Sequence, residues 1–179
     1  MKVRKLYSVL SVIFVIVMAA GVFAPAALAK SDKPKDIYSI VDLALDVNAQ
    51  NGEFSILIAA LQAADPSVIQ TLNGKGQYTV FAPTDAAFVA LLNELGVSAG
   101  ELLSNQELVT TVLLYHVARG NRDSADVISS DRIRTMQGGF LFQSGGILTD
   151  ANGRTSNIIA VDFFADNGVV HVIDTVVLP

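Results

Sequence analysis

The chain has 179 residues, of which 12 are Lys or Arg and 17 are Asp or Glu, with a formal net charge of −5 and no cysteine. The missing cysteine removes disulfides, thiol nucleophiles, thiolate metal sites and a lipid-modified N-terminal cysteine in one step. The acidic balance, with Arg119, Arg122, Arg132, Arg134 and Arg154 scattered along the sequence, argues against nucleic acid and anionic membrane as partners, because both demand clustered positive charge.

In chain order, Lys2, Arg4 and Lys5 precede the uncharged run from Leu6 to Ala20, and small residues follow up to Ala27-Leu28-Ala29. A positive end, a short apolar stretch and small residues at the cut make residues 1–29 a signal peptide. The same span has a second reading as an uncleaved anchor, since no charge falls between Lys5 and Lys30, but Gly21, Pro25 and the alanines favour cleavage. Cleavage takes away three of the 12 basic residues and none of the 17 acids, leaving a net charge of −8. The expected product is secreted, extracellular or periplasmic, with no stable membrane insertion after cleavage.

Residues 30–36 are polar and proline-broken, which suits a flexible leader, and the folded domain spans residues 37–179. Ile37, Ile40, Val41, Ala44 and Leu45, then Phe54, Leu57, Ile58 and Leu61, recur at helical steps and predict two amphipathic helices around the Asn51-Gly52 turn. Asp65-Pro66 starts a short helix, because proline has no amide hydrogen to lose at a first helical position. Tyr78 to Phe81 are β-formers, and Pro83 is expected to end their pairing. Thr84 then caps a helix whose positive end Asp85 complements, with Phe88, Leu91, Leu92 and Leu95 as its buried stripe. Ser104 and Glu107 stand in the spacing of a capping box for a further helix leading into Tyr115-His116-Val117. From Ser130 onward the pattern becomes short β-rich runs, residues 132–136, 140–143, 147–149, 158–163 and 169–173, parted by Gly138-Gly139, Gly145-Gly146 and Asn152-Gly153. Helices first and strands later predict one α+β unit with helices packed against a sheet or sandwich.

Three blocks in this order resemble the fasciclin domain, an extracellular adhesion module: Tyr78-Thr79-Val80-Phe81-Ala82-Pro83-Thr84-Asp85-Ala86-Ala87-Phe88, then Tyr115-His116-Val117, then Asn167-Gly168-Val169-Val170-His171-Val172-Ile173-Asp174 closing on Val176-Val177-Leu178-Pro179. The resemblance covers residues 37–179. It implies a wedge-shaped β-sandwich of about seven strands with helices along one side, whose central strands come from the two outer blocks. It also makes Thr79, Phe81, Ala82, Pro83, Thr84, Asp85, Phe88, Asn167, Gly168, His171 and Asp174 structural motif residues. A single such domain behind a signal peptide is similar to small prokaryotic fasciclin-like proteins.

Residue chemistry gives little support to catalysis. The two histidines, His116 and His171, lie 55 positions apart without the closely spaced partners of a zinc site. His171 shares a strand face with Val169 and Ile173 and reads as a core-edge residue with a hydrogen-bond partner. Tyr115 reads as a core ring with its hydroxyl on a buried acceptor. No serine sits in a Gly-x-Ser-x-Gly turn, since Ser144 before Gly145-Gly146 suits a hairpin, and Asn73-Gly74-Lys75-Gly76 lacks the ending of a phosphate loop. Asp42 and Asp46 share a helix face that should point to solvent, opposite Ile40, Leu43 and Ala44, and Asp123, Asp126 and Asp131 lie in an expected loop without the spacing of a calcium site.

The partner-binding candidates are Asp162, Phe163, Tyr115 and His116. In the fasciclin family the tyrosine-histidine pair is tied to adhesion, although the residues here read first as framework. In animal matrix members an Asp-Ile pair just before the last block resembles an integrin-binding element, and Asp162-Phe163 occupies that place with the acid retained and the isoleucine replaced. Strand alternation puts Asp162 and Phe164 on one face and Phe163 on the other, so Asp162→Ala should weaken adhesion without lowering the melting temperature.

The expected function is a non-enzymatic cell-adhesion or extracellular-matrix-binding module. It needs no cofactor or metal and contacts a cell-surface or matrix protein or polysaccharide. With one domain copy, useful avidity needs weak self-association or dense display. The alternatives are a carrier of an apolar small ligand such as a carotenoid, which needs a long apolar groove, and a hydrolase of unknown class, which needs paired acids or a histidine-acid pair in one open pocket.

Overall fold

The computed structural model describes residues 38–179; the expected signal peptide 1–29, the expected leader 30–36 and Ile37 lie outside the described residues. Helix α1 (Ile40–Asn51) starts at Ser39, whose hydroxyl accepts from the Asp42 amide while the Asp42 carboxylate accepts from the Ser39 amide, and it stops at Gly52 in a left-handed conformation, φ 77°. Helix α2 (Ser55–Ala63) begins at Phe54, also left-handed, with no cap from its own segment. The cap comes from Asp85, which accepts from the Ser55 amide at 3.1 Å and the Ile56 amide at 2.8 Å. Asp85 thus serves α2 while also standing, as the sequence predicts, in the first turn of its own helix. Helix α3 (Pro66–Leu72) is capped by Asp65 as the Asp-Pro pair predicts.

Strand β1 (Tyr78–Pro83) leads through Thr84, whose hydroxyl accepts from the Ala87 amide at 3.2 Å, into α4 (Asp85–Leu95). A short α5 (Ala99–Ser104) follows, held by a reciprocal Ser98–Glu101 cap that the sequence reading passed over. This helix displaces the expected Ser104–Glu107 box. Ser104 ends α5 and donates to the Glu101 carbonyl, and Asn105 caps α6 (Gln106–Tyr115) by accepting from the Leu108 amide. Then come β2 (Val117–Arg119), a one-turn α7 (Ser124–Ile128) capped by Asp123, β3 (Arg132–Arg134), β4 (Phe140–Ser144), β5 (Ile147–Thr149), β6 (Thr155–Ala165) and β7 (Gly168–Ile173).

The strands form one sheet in the order β2-β1-β7-β6-β5-β4-β3, antiparallel throughout except for the central β1–β7 pair, which is parallel from Tyr78↔Gly168 to Pro83↔Ile173. Pro83, expected to end the pairing, is therefore its last register position. The sheet curls until Ala118 of β2 bridges Thr135 beside β3, so the predicted sandwich is a near-barrel with the helices on one side. The curl is made at β6, whose register against β7 slips between Ile158 and Ala160 and again between Ala160 and Phe163, the extra residues bending the strand.

Strand β7 is buried on both faces and divides the core in two. Val170 and Val172 pack against the helices with Leu43, Leu57, Phe88 and Leu113, while Ile173 meets Phe81, Tyr115, Ile133, Leu141 and Leu148 inside the curled sheet. Its valine- and isoleucine-rich run, broken only by His171, is what a parallel, doubly covered strand requires.

The turn into β7 fixes the helices to the sheet. Asn167, 1% exposed, accepts from the Ile40 amide at 2.8 Å and donates to the carbonyls of Leu72 at 2.6 Å and Gly74 at 2.8 Å, so one side chain joins the start of α1 to the end of α3. Gly168, at φ 155°, lies against β1 so closely that a Cβ would collide with the Tyr78 carbonyl oxygen and Ile40 Cδ1. Because the obstacle is largely backbone, Gly168→Ala should lower unfolding free energy by about 3 kcal/mol or more. Chemical denaturation checks this; a loss under about 1 kcal/mol would show that the β1–β7 contact yields easily.

Candidate functional site

Six of the predicted site residues, Thr79, Phe81, Asp162, His171, Tyr115 and His116, fall into two clusters. In the first, Thr79 of β1 donates its hydroxyl to the Gly120 carbonyl at 2.8 Å and accepts from the Arg122 amide at 2.9 Å. His171 of β7 stacks on Phe81, with ring centroids 5.8 Å apart, and its Nε2 lies 2.9 Å from the Arg122 carbonyl. That contact assigns the proton to Nε2, leaving Nδ1 to accept from the Asp162 amide at 3.3 Å. Asp162 sits in the β6 bulge with a left-handed backbone, φ 63°, and its carboxylate accepts from the Ser124 amide at 2.7 Å and the Ser124 hydroxyl at 2.6 Å. Thr79, His171 and Asp162 together pin the loop from Gly120 to Ser124 against the sheet.

The bulge overturns the alternation read from the sequence. Asp162 turns onto the first turn of α7, Phe163 packs half-buried against the helical core, and Val161 and Phe164 are the exposed residues of this stretch, 42% and 60% accessible. The Asp162 carboxylate is already hydrogen-bonded within the fold. Phe163 lines an apolar cavity of about 260 Å³ under α1, with Leu43, Ala44, Val47, Phe54 and Val172.

The second cluster is the tyrosine-histidine pair. Tyr115 is fully buried; its hydroxyl donates to the Phe140 carbonyl at 2.7 Å and accepts from the Ala151 amide at 3.1 Å, tying α6 to both ends of the β4–β5 region. His116 is 3% exposed, with Nδ1 2.7 Å from the Val112 carbonyl and Nε2 accepting from the Val177 amide at 3.3 Å. Neither side chain reaches the surface, so contact with a partner through Tyr115 or His116 would require the fold to open. Their geometry is that of framework. The two histidines hold opposite neutral tautomers, and every ring nitrogen is taken up by main chain, so neither is free to relay a proton.

Sequence reasoning missed three participants. Arg122 enters through its main-chain amide and carbonyl, which composition cannot flag, and Ser124 through its amide and hydroxyl, whereas Asp123-x-x-Asp126 is a cap spacing that signals α7. Asp150, 3% exposed, accepts from the amides of Asn152, Arg154 and Leu178 and holds the C-terminal segment. Asp174 accepts from the Asn157 amide at 2.8 Å and its side chain at 2.7 Å; burial alone would raise its pKa, but these bonds with those from Thr175 and Ser156 hold it below the usual carboxylate value. Among the described residues no group of three or more His, Cys, Asp or Glu is placed to hold a metal ion.

The Fasciclin domain model matches residues 52–179. The chain belongs to the fasciclin domain family. It is 38% identical over 136 residues to protein sll1483 of Synechocystis, covering 75% of this chain and 72% of that protein. It is also 38% identical over 136 residues to the transforming growth factor-beta-induced protein ig-h3 of Sus scrofa, covering 75% of this chain but only 19% of that longer protein. The FAS1 domain pair of the insect cell adhesion molecule Fasciclin I shares the fold, with a TM-score of 0.58, 18% identity and coverage of 72% of this chain and 46% of that one. The three sequence blocks are thus the central strands and the α6–β2 junction of a fasciclin domain.

Two outcomes follow from this geometry. Asp162→Ala should lower stability by about 1–3 kcal/mol, because the Ser124 amide loses its acceptor and alanine tolerates a left-handed backbone poorly. Asp162→Asn, which retains an acceptor and accepts that conformation, should cost less. Equal melting temperatures for wild type and Asp162→Ala would contradict the assignment. Burial pushes the His116 pKa down from 6.5 to about 4, despite the Val112 hydrogen bond and Asp150. The unfolded chain therefore takes up the proton first, so stability is full above about pH 6.5 and falls towards pH 4, by at most roughly 3 kcal/mol from this group. His116→Gln should be less stable at pH 7 yet lose less of its remaining stability on acidification, as read by melting temperature against pH. A fall as steep as that of wild type would remove His116 as the cause.

Proposed function

We propose that this fasciclin domain is an exported, non-enzymatic adhesion module that binds a cell-surface or matrix protein or polysaccharide through its outer surface. The observation that carries the reading is the engagement of both histidines by main chain at every ring nitrogen, which assigns the chemistry-bearing residues of the family blocks to holding the fold. The cavity beside His116, about 250 Å³ between α2, α4, α5 and α6, is lined by apolar side chains without an acid, and the cavity under α1 has Glu53 as its sole acidic lining residue. A hydrolase therefore gains no support from either. The relation to an insect cell adhesion molecule is one of fold, and the export reading rests on the N-terminal sequence.

A second reading, carriage of an apolar small ligand, draws on the same two cavities. At about 250–260 Å³ each lies below the roughly 300–1,000 Å³ of drug-sized ligand sites, so a short apolar molecule fits this reading better than a carotenoid.

Purified full-length protein applied to whole cells, immobilised collagen and a polysaccharide panel, with its absorbance spectrum recorded, separates the two. Saturable binding to one surface with no copurified chromophore is the expected result. Absence of binding to every surface would overturn the adhesion reading, and a stoichiometric copurified apolar compound would replace it with carriage.

A further inference from the structure

The arginines that look scattered in the sequence are gathered by the fold. Residues 38–179 contain six basic residues, Lys75 and five arginines, against 15 acids. Arg154 is paired with Glu94 and lies beside Asp150, and Arg122 is folded into the loop that His171 holds. The other three arginines stand on one outer face of the curled sheet. Antiparallel register sets Arg134 of β3 opposite Phe140 of β4, and Arg132 opposite Phe142. The Ala118↔Thr135 bridge brings Arg119 of β2 alongside Arg134, one position further along. Side chains opposite one another on a sheet face lie about 5 Å apart at Cβ, so the five residues make a continuous patch.

The patch is exposed and electrostatically unbalanced. Arg119, Arg132 and Arg134 are all exposed, Phe142 is 50% and Phe140 36% accessible, and none of the three guanidinium groups makes an ion pair or hydrogen bond among the described residues. Arg132 instead sits over the Phe140 ring, 5.1 Å from its centroid. The cross-strand row of Arg132 continues through Phe142 to Thr149 and Thr155, again without a carboxylate. An acidic chain therefore concentrates half of its described cations, unpaired, beside two exposed aromatic rings. Neither core packing nor helix capping accounts for that arrangement.

We infer that this face, the outer surface of β2, β3 and β4, binds an acidic polysaccharide bearing carboxylate or sulfate groups. Planar guanidinium groups grip such anions through paired hydrogen bonds, and flat aromatic rings offer the apolar faces of sugar rings a stacking surface. The sheet also offers little to an extended peptide. Strand β4 is paired on both sides, and the Ala118↔Thr135 bridge closes the sheet just beyond β3, so strand addition at the patch would have only the three residues of β3 as an edge. Three arginines in a strongly acidic chain fall short of the extended positive track that a nucleic acid uses. The inference goes beyond the adhesion reading by naming the face and the partner chemistry, and rests on it for the biological task alone.

The test titrates the full-length protein with polygalacturonate, heparin, neutral dextran and a 20-nucleotide oligothymidylate at low and high NaCl, beside the variants Arg132→Glu/Arg134→Glu and Phe142→Ser. The expected result is binding to polygalacturonate or heparin that weakens with salt, at least about tenfold tighter than to dextran or oligothymidylate. Both variants should lose about tenfold or more while their melting temperatures stay with wild type. Undiminished binding by the variants, equal binding to dextran, tighter binding to oligothymidylate, or no polysaccharide binding by wild type would each overturn the inference. Cell adhesion measured on the same proteins separates the two claims. Polysaccharide binding and adhesion that both survive Arg132→Glu/Arg134→Glu leave the module adhesive and this face wrong, whereas salt-sensitive binding of soluble polysaccharide by a protein that is retained on neither cells, collagen nor any immobilised polysaccharide keeps the face and removes the adhesion reading.

Discussion

The parallel pairing of β1 with β7 is the constraint on which the rest of the structure depends. It joins segments separated by most of the domain, from Tyr78↔Gly168 to Pro83↔Ile173, and it is the one parallel contact in an otherwise antiparallel sheet. Such long-range pairing is entropically expensive to establish and is stable only when both faces are covered. Here the helices cover one face and the curled sheet covers the other, which is why every residue of β7 is buried. Each neighbouring part is then fixed to this pair by a polar side chain: α1 and α3 through Asn167, and the Gly120–Ser124 loop through Thr79 and His171.

That arrangement explains why the most eye-catching residues of the sequence are the least available for binding. A histidine, a tyrosine and an aspartate in a family block invite a chemical reading, yet inside this fold each satisfies main-chain groups that the curl of the sheet leaves without ladder partners. Buried main-chain donors and acceptors are costly when unpaired, so polar side chains at such places are structural requirements. Recognition is left to the outer faces, where side chains are constrained only by solubility and by the partner.

Most of the fold was legible in the sequence because its signals are local. Helical steps marked α1 and α2, Asp65-Pro66 marked α3, Thr84 marked α4, and glycine pairs marked the hairpins of the second half. What remained hidden depends on contacts between distant segments. Asp85 caps a helix far ahead of it, and Asp162 leaves the strand alternation because two bulges bend β6 against β7. The short α5 and α7 were readable from the Ser98–Glu101 and Asp123–Asp126 spacings, but brief helices give too little apolar periodicity to stand out. The arginine face was invisible for a different reason: Arg119, Arg132 and Arg134 become neighbours only when the Ala118↔Thr135 bridge closes the sheet.

Native-state hydrogen exchange tests the central claim most directly. If β1 and β7 hold the domain together, the amides of Val80, Ala82, Val170 and Val172 should be the slowest to exchange and should do so only through global unfolding, while those of the β4–β5 hairpin open earlier. Faster exchange in β7 than in β4 and β5 would contradict the account and move the organising contact to the curled half of the sheet.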